Sequence, residues 1–334
     1  MAHGTEGRAP APVAGDPLAP HPLADKVTIN AAVSNKIGSY GALLLAGPLG
    51  ELAKENIDIN LEVMPGQEML LLLQKGDLDI AGTSFSAGML NLVANGADIR
   101  TVFPSGGRTE DTRQGIWVNK EILGDNGTFE PDDVRDQVIG TLGGRDSLIN
   151  ANLFDYLSQH GGTVSPSDVR MQDMTSSDAV QALRSGAVGV ANASSPFHQL
   201  LLDDSCCEFV PGAFPLEPSA QYLFGPNLLE DQPEVGAALT RALARTVRDH
   251  LQGDHLADPD VLAKFAQATD TPADKLLSFE RSYFDPTLTI PTQFLDVAQN
   301  YYREVGGVLQ YDEPLAVDQV YDLSFVEAVP TPTP

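Results

Sequence analysis

The chain has few cysteines and no long apolar run. Among its 334 residues only Cys206 and Cys207 are cysteines, too few for a disulfide framework or, by themselves, a zinc site. The longest unbroken apolar runs have five residues, as from Met69 to Leu73, whereas a membrane-spanning helix needs about 20. We therefore expect a soluble protein with no metal site.

Positive charge is also scarce, with 20 Lys and Arg against 46 Asp and Glu, which gives a net charge of −26. Such a field repels phosphate backbones and anionic membranes, so nucleic acid is excluded as a partner. The 42% apolar and 20% charged fractions are those of a globular protein, which excludes disordered and fibrous classes. Because 334 residues exceed what one hydrophobic core usually holds, we expect two lobes or domains.

The adjacent cysteines have two interpretations. They form either a vicinal disulfide or two free thiols in a loop, and we favour the free thiols. The pair is compatible with either redox compartment.

Both ends of the chain have the composition of linkers. Residues 1–24 are rich in Pro, Ala and Gly, which predicts a disordered tether, and residues 329–334 predict a disordered tail. No basic start followed by an apolar segment is present, so either the protein is cytoplasmic or a secretory signal is no longer part of the chain. A stretch like 1–24 suits a tether between a membrane anchor and a folded domain, as in a lipoprotein.

The most informative feature is a unit repeated with a period of about 110 residues. Its order is strand, helix, strand, helix and strand, which the first copy places at 26–33, 40–56, 57–64, 66–74 and 76–81. The second copy places the same elements at 137–142, 148–160, 169–174, 177–184 and 186–191. Pro48 predicts a kink in the first helix. Alternating strands and helices form parallel sheets, so we expect two similar α/β lobes.

Small polar residues follow the strands of both copies, as in Ser34-Asn35, 83–86 and 105–108, and in 143–147 and 192–195. In open α/β sheets, ligands bind outside the carboxyl ends of the strands, where helix N-termini offer free N–H groups. Two facing lobes would place these loops around one cleft. Ser39, Ser147 and Ser177 have the alternative role of helix N-caps.

At these residues the chain resembles the type II periplasmic substrate-binding proteins of ABC transporters, in the sulfonate, nitrate, taurine and thiamine-pyrimidine branch. The shared motifs include the turn Leu73-Gln74-Lys75-Gly76-Asp77-Leu78-Asp79 and the segments 182–186, 227–235 and 318–327. The resemblance implies a two-lobe fold with a ligand cleft between the lobes. It places lobe one at 25–111 and 224–328, lobe two at 112–223, and a hinge near Thr112 and Gln221-Tyr222.

Thiamine-pyrimidine synthases have the same fold and provide an enzyme alternative. By our alignment, their lysine that carries pyridoxal phosphate falls at Thr83, their reactive histidine near Ala87, and their cysteine-rich iron motif at about 219–223. A Schiff base needs an amine and iron needs ligands, so we expect no enzymatic activity and no cofactor. A ligand-gated sensor is a further alternative.

Serine hydroxyls, helix N-termini and arginines in the cleft favour a small organic anion, with Arg108 and Arg145 each able to fork an acid group. Arg113 is a further candidate, Phe85, Tyr40, Phe197 and Tyr222 are candidate aromatic walls, and His198 is expected to be structural. The expected ligand-binding residues are Asn35, Ser39, Tyr40, Ser84, Phe85, Ser86, Gly107, Arg108, Arg145, Ser147, Asn192, Ser194 and Ser195. The sequence thus predicts a monomeric, extracytoplasmic solute-binding protein that delivers a small molecule to an ABC transporter permease.

Overall fold

Two five-stranded sheets, each packed with helices, form two lobes. The computed structural model describes residues 8–10, 15–124, 127–142, 144–195, 197–218 and 220–330. The strands are β1 (Val27–Val33), β2 (Ile57–Val63), β3 (Ile80–Ser84), β4 (Arg100–Pro104), β5 (Gly107–Arg108), β6 (Gly115–Asn119), β7 (Val138–Thr141), β8 (Arg170–Asp173), β9 (Val190–Ala193), β10 (Cys207–Phe209), β11 (Ala220–Phe224) and β12 (Ser282–Tyr283).

The α-helices surround these sheets, together with shorter helical turns. The α-helices are α1 (Gly41–Ala46), α2 (Gly66–Lys75), α3 (Ala87–Ala94), α4 (Leu148–Gln159), α5 (Ser176–Arg184), α6 (Gln199–Leu202), α7 (Pro233–Arg245), α8 (Pro259–Ala268), α9 (Ala273–Ser278), α10 (Phe294–Val305), α11 (Val317–Val320) and α12 (Ser324–Glu327). The 3₁₀ turns are Gly38–Tyr40, Ala53–Glu55, Lys120–Ile122, Pro131–Val134, Pro166–Asp168 and His255–Ala257, and the π-helical turns are Asn227–Asp231 and Thr246–His250.

The two sheets have the same pairing, as the repeat predicts. Their strand orders are β2-β1-β3-β11-β4 and β10-β6-β9-β7-β8. In the first, β1 pairs in parallel with β2 and β3, and in the second β7 pairs in parallel with β8 and β9. An antiparallel strand then follows in each, β11 beside β3 and β6 beside β9. The 110-residue period is therefore a repeat of the strand topology.

Each lobe receives its antiparallel fourth strand from a chain segment that has just left the other lobe. β6 follows β4 in the chain but joins the second sheet, and β11 follows β10 but returns to the first. The connecting segments are residues 105–114 and 210–218. Thr112 lies in the first of them, whereas Gln221 and Tyr222 lie within β11 rather than at a crossing.

The predicted helix over 40–56 is wrong. The chain has a 3₁₀ turn at Gly38–Tyr40, then α1, which ends at Ala46, and a second 3₁₀ turn at Ala53–Glu55. Pro48 has no N–H to donate and disfavours helical geometry at the residue before it, so it ends the helix instead of kinking it. Ser39 consequently lies inside the first 3₁₀ turn and caps no helix.

The cap predicted at Ser147 is present, because its side chain accepts the N–H of Ile149 at the start of α4. The cap predicted at Ser177 is wrong. Thr175, two residues earlier, caps α5 by accepting the N–H of Asp178. The helix therefore begins one residue before the predicted cap.

The turn after α2 shows what Gly76 and Asp79 of the motif 73–79 do in the structure. Gly76 has a φ of 76°, and a Cβ there would lie 2.7 Å from Asn227 Oδ1. The Asn227 amide donates to the Gly76 carbonyl at 2.9 Å and to Asp79 Oδ1 at 2.7 Å. Asp79 also accepts the N–H of Asn30 at 2.7 Å. The motif thus ties β1 to the start of the helical region of lobe one.

Cys206 and Cys207 are joined by a disulfide, so the prediction of two free thiols is wrong. The carboxylate of Asp204 accepts the N–H of Cys206, and the carbonyl of Cys206 accepts the N–H of Lys120. These bonds hold a turn just before β10, which brings the two adjacent sulfur atoms together.

The described part of the predicted N-terminal tether packs against lobe one, contrary to the prediction of a disordered segment. Leu18 and Leu23 pack against the hydrophobic core of lobe one. The N–H of Leu23 donates to the carbonyl of Glu55 at 3.1 Å. A linker of this composition was expected to have no core contact, but its few leucines are enough to bind it to the lobe. Residues 1–7 and 11–14 of the predicted tether, and 331–334 of the predicted tail, lie outside the described residues.

A buried charge cluster holds the N-terminal segment, α7 and the turn after α1 together. The side chains of Glu51 and Glu55 are 1% and 0% exposed. Arg245 donates to Glu51 Oε2 at 2.8 Å and to Glu55 Oε1 at 2.6 Å, and Arg241 donates to Glu55 Oε2 at 2.7 Å. Arg245 also donates to the carbonyl of Leu18 at 3.0 Å.

The environment of Glu51 keeps it ionised. Burial acts to raise its pKa, but hydrogen bonds from Lys54, Arg245 and His250 lower the pKa to about 2. All the charges of the cluster are thus matched inside lobe one.

Helix α10 joins the two lobes. It packs against both α4 and α3, and Tyr301 stacks on Phe154 with ring centroids 5.7 Å apart. One continuous apolar cluster runs from Leu73 and Leu90 of lobe one through Tyr302 to Leu157 of lobe two. The C-terminal region assigned to lobe one by the resemblance is therefore in contact with lobe two as well.

Replacing Arg245 with Ala is expected to lower the free energy of unfolding by about 3–5 kcal/mol, because it leaves two buried carboxylates without their shared partner. The measurement is urea unfolding at neutral pH. Lys26→Ala is the matched control, since Lys26 and Asp58 form an ion pair whose side chains are 63% and 55% exposed. The control should change stability by less than about 1 kcal/mol, and equal losses in the two variants would contradict the prediction.

Candidate functional site

A cavity of about 900 Å³ lies between the lobes, within the size range of ligand sites. All the predicted ligand-binding residues line it except Arg145: they are Asn35, Ser39, Tyr40, Ser84, Phe85, Ser86, Gly107, Arg108, Ser147, Asn192, Ser194 and Ser195. The loops that follow the strands of the two sheets therefore meet around one space. Gly143, at the start of a predicted loop, lies outside the described residues.

Two helices, one from each lobe, begin at the cavity. Ser86 caps α3 by accepting the N–H of Met89 at 3.2 Å, and Ser147 caps α4. The two serines also form an isolated antiparallel bridge to each other across the cleft. Both N-termini thus present their positive ends at the meeting point of the lobes, which favours a negatively charged group.

Arg108 is the arginine whose side chain lines the cavity on the side of the first crossing segment. Its backbone is held on both sides, since β5 pairs with β12 and the N–H of Arg108 donates to the carbonyl of Leu216 at 2.7 Å. The guanidinium lies 4.0 Å over the ring of Phe214 and makes one long hydrogen bond of 3.4 Å to the carbonyl of Pro215. Stacking and backbone pairing together fix the orientation of this cation.

Within the described residues, Arg108 forms no ion pair with a carboxylate. Loss of water around the guanidinium lowers its pKa to about 10, while the charge of Glu280 opposes this shift. A partly buried cation without an ion-pair partner is destabilising until an anion binds it. The surroundings of Arg108 in the cavity therefore favour a negatively charged group over a positively charged one.

Glu280, which the sequence did not suggest, connects the two lobes beside the cavity. Its carboxylate accepts hydrogen bonds from Thr112 Oγ1, the Arg113 N–H at 2.9 Å, Gln114 Nε2 at 3.1 Å and His198 Nε2 at 2.9 Å. Burial acts to raise the pKa of Glu280, but these donors, with His198 first, lower the pKa to about 2.

These contacts couple the crossing segment to both lobes. His198, which is 1% exposed, follows β9 of lobe two, and Gln114 also accepts the N–H of Ser195 at 3.0 Å. His198 thus makes a structural contact of the kind expected from the sequence.

Arg145 does not reach the cavity, contrary to the prediction. Its guanidinium donates to the carbonyl of Val305 at 3.1 Å, at the end of α10, and its carbonyl accepts from Tyr301 and Asn150. The free carbonyl at the helix C-terminus attracts the cation away from the cleft. Arg113 is exposed and donates to the carbonyls of Asp111 and Thr112.

Of the four aromatic residues predicted to form walls of the cleft, two line the cavity and two do not. Phe85 and Tyr40 line the cavity, while Phe197 does not, and Tyr222 is fully buried in lobe one. Burial raises the pKa of Tyr40 to about 12, although Ser34 bonds to its hydroxyl. A segment that the sequence did not suggest, residues 255–282, supplies much of the remaining wall. Its only sequence signal was the spacing of apolar residues in α8 and α9, which also fits an ordinary core.

Replacing Glu280 with Gln is expected to lower stability at neutral pH by about 1.5–3 kcal/mol, because hydrogen bonds to a charged acceptor are lost. The pKa of Glu280 lies below that of a free glutamate, so its contribution is present above about pH 4.3 and is lost as pH falls towards 2. The difference in melting temperature between wild type and variant should therefore narrow from pH 7 to pH 3.

The matched control is Glu217→Gln, since Glu217 is exposed and should show little change at either pH. A difference between wild type and Glu280→Gln that stays constant from pH 7 to pH 3, or no difference at pH 7, would count against the role given to this carboxylate.

No family model matches the chain, and neither does the sequence of any curated protein. Solved structures do match over nearly its whole length. A periplasmic sulfonate-binding protein, SsuA, from Methylobacillus flagellatus KT is 15% identical, covers 92% of this chain and 94% of its own, and gives a TM-score of 0.67. The periplasmic nitrate-binding protein NrtA from Synechocystis PCC 6803 is 12% identical, covers 91% of this chain and 88% of its own, and gives a TM-score of 0.63.

A third match is a cysteine-to-serine mutant of DSZB in complex with biphenyl-2-sulfinic acid. It is 17% identical, covers 91% of this chain and 99% of its own, and gives a TM-score of 0.54. At such identities the likeness concerns the fold. The chain has the two-lobe α/β fold, with a cleft between the lobes, that periplasmic sulfonate- and nitrate-binding proteins share, as its sequence motifs implied.

Proposed function

We propose that the protein is an extracytoplasmic solute-binding protein that captures a small organic anion between its lobes and delivers it to the permease of an ABC importer. The observation that carries this proposal is Arg108, a stacked cation without an ion-pair partner among the described residues, which lines the inter-lobe cavity. An anion bound there would supply the missing charge and accept the fork of guanidinium hydrogen bonds.

The remaining lining supports an acid group. Serine hydroxyls from both lobes surround the cavity, and α3 and α4 begin there. The oxygen atoms of a carboxylate or sulfonate accept hydrogen bonds from serine hydroxyls and from the N–H groups at helix N-termini. These donors need no positive charge of their own. We therefore assign the predicted ligand-binding residues, except Arg145, to this anion site.

We propose that the two lobes close around the ligand by moving about the two chain crossings, residues 105–114 and 210–218. Residues 105–114 carry Arg108 and also three of the four donors to Glu280, so the anion site and most of these inter-lobe contacts share one segment. A ligand that contacts both lobes binds the closed arrangement more tightly than an open one. This difference in affinity determines how far the ligand shifts the protein towards the closed arrangement.

The solved structures with this fold support the transport role. Two of the reported matches are described as periplasmic and bind sulfonate or nitrate. In the described residues no helix is both long and apolar enough to cross a membrane. We propose an extracytoplasmic location because those matches are periplasmic proteins, and the monomeric state remains an expectation from the sequence.

We propose a binding role and not an enzymatic one. The DSZB structure with this fold is a cysteine-to-serine mutant in complex with biphenyl-2-sulfinic acid. Here both cysteines are joined to each other, and neither lines the cavity. The polar lining includes serines, amide side chains, Arg108, Arg281, His255, Asp146 and Glu280. The carboxylate of Glu280 is occupied by its four donors, so we propose that Arg108 binds the acid group.

Replacing Arg108 with Gln is expected to weaken binding of organic anions by at least about 10-fold, because a charge-assisted bond contributes about 1.5–3 kcal/mol. The measurement is a thermal-shift screen of alkyl and aryl sulfonates and carboxylates, followed by calorimetry on the compounds that stabilise the wild type. A compound at 100 times its dissociation constant adds about 2.7 kcal/mol of stability, which shifts the melting temperature by several degrees.

Arg113→Gln is the control, since it removes an exposed arginine from the same crossing segment. It should bind like the wild type. If Arg108→Gln binds every anion as tightly as Arg113→Gln does, or if no anion stabilises the wild type, the proposed anion site is wrong.

A further inference from the structure

The disulfide between Cys206 and Cys207 lies at the start of an edge strand of lobe two. This strand, β10, is the outermost one of the second sheet, and it pairs Cys207 with Asn119 and Phe209 with Trp117 of β6. Side chains of neighbouring residues in a strand point to opposite faces of the sheet. Two neighbouring cysteines whose sulfur atoms are bonded to each other cannot both have this geometry. The disulfide therefore fixes the start of β10 at the second cysteine.

The two cysteines differ in their exposure to solvent. Cys207 is 5% exposed and belongs to an apolar cluster of lobe two with Leu183 and Leu201, whereas Cys206 is half-buried at the edge of that cluster. Thiol–disulfide exchange begins when a thiolate attacks an accessible sulfur atom. Cys206 is thus the residue that a thiol reaches in the folded protein, and the sulfur of Cys207 is the leaving group.

Reduction of this disulfide by a dithiol has two steps. A thiolate of the dithiol attacks Cys206 Sγ, the bond between the cysteine sulfurs breaks, and Cys207 leaves as a thiolate that takes up a proton. The second thiolate of the dithiol then attacks the reductant's own sulfur in this mixed disulfide and releases Cys206, which is protonated in turn. The protein gains an electron pair and a proton on each sulfur, and the dithiol loses the same and becomes a disulfide.

At its other end, β10 contacts the crossing segment that carries Arg108. The Phe209 ring lies 5.5 Å from the ring of Trp117, and the guanidinium of Arg113 lies 5.5 Å from the centroid of the same phenylalanine. The N–H of Arg113 is in turn a donor to Glu280. A shift of β10 therefore reaches the contacts that couple residues 105–114 to both lobes.

Phe209 also shares a packing site with Phe214, the ring on which Arg108 is stacked. A Cβ on Gly115, at the start of β6, would lie 3.2 Å from Phe214 Cβ and 3.3 Å from the Phe209 ring. Both phenylalanines thus pack closely on one glycine, and only a short stretch of chain separates them. Because interiors are close-packed, a movement of Phe209 along β6 displaces the ring that holds Arg108.

From this arrangement we infer that Cys206 and Cys207 form a redox site which a dithiol reduces in the folded protein, and that reduction weakens anion binding at Arg108 by releasing the start of β10. Once both thiols are free, Cys206 takes strand geometry and points to the face opposite Cys207. The effect on affinity rests on the proposed anion-binding function, whereas the reduction and the change in β10 do not.

The first measurement follows reduction of the native protein by dithiothreitol, which is uncharged and so does not compete for the anion site. Alkylation with iodoacetamide and peptide mass spectrometry should find Cys206 modified before Cys207 after reduction, and neither modified without it. Backbone hydrogen exchange should become faster over residues 210–216, while α7 in lobe one keeps its exchange rates. A disulfide that dithiothreitol reduces only in denaturant would overturn the inference.

The second measurement is calorimetric titration of the oxidised and reduced protein with hexanesulfonate. Reduction should weaken binding by about fivefold or more, the lower end of the usual coupling between two sites, and reoxidation should restore it. The variant with both Cys206→Ser and Cys207→Ser should bind like the reduced protein and should not respond to dithiothreitol. Ser205→Ala is the matched control, because Ser205 is the exposed neighbour of the pair, and it should behave like the wild type.

The outcomes separate the redox site from the function on which its effect rests. Equal affinity of the oxidised and reduced protein, or a variant without both cysteines that binds as tightly as the oxidised wild type, would overturn the inference while the anion site stands. If hexanesulfonate binds neither form, the proposed anion site is wrong for this probe, and exchange over 210–216 decides the rest. Faster exchange after reduction then supports the redox site, and unchanged exchange overturns it.

Discussion

The charge of Arg108 is the feature that sets the chemistry of the cavity between the lobes. Its guanidinium is stacked on Phe214, and its backbone is paired with β12 and with Leu216. None of these contacts neutralises it. The charge of Glu280 acts on the guanidinium without forming an ion pair with it, and we propose that an acid group of the ligand takes the place of that partner. The cluster of Glu51, Glu55 and Arg245 in the same lobe shows the contrasting case, in which every buried charge is matched within the chain.

The repeated topology explains why this cation lies between the lobes. Because each sheet takes its fourth strand from a segment that leaves the other sheet, residues 105–114 pass along the interface and bring Arg108 to it. The same segment supplies three of the donors to Glu280, whose fourth donor, His198, belongs to lobe two. Helix α10 adds an apolar connection between the lobes on another side. The anion site and the contacts that hold the lobes together are thus mechanically linked.

Local patterns in the sequence predicted the three parallel strands of each sheet, helices α2, α4 and α5, the repeat and the loops that line the cavity. They failed where distant segments decide the outcome. Arg108 and Arg145 both lie in glycine-rich polar stretches after a strand and give the same local signal. Only the structure shows that Phe214 and Pro215 direct one into the cavity, while the carbonyl of Val305, 160 residues away, holds the other outside it. Glu280 had no local signal, because its donors are residues 112–114 and His198, which are far from it in the chain. The error at Pro48 was of a different kind, since a helix-ending residue was interpreted as a kink.

The most direct measurement of the central claim is a crystal structure of the protein with hexanesulfonate. We predict sulfonate oxygens within hydrogen-bond distance of the Arg108 guanidinium, with the capping serines Ser86 and Ser147 nearby. A sulfonate bound elsewhere in the cavity, with Arg108 still stacked and without an anion, would contradict the claim that this cation defines the site.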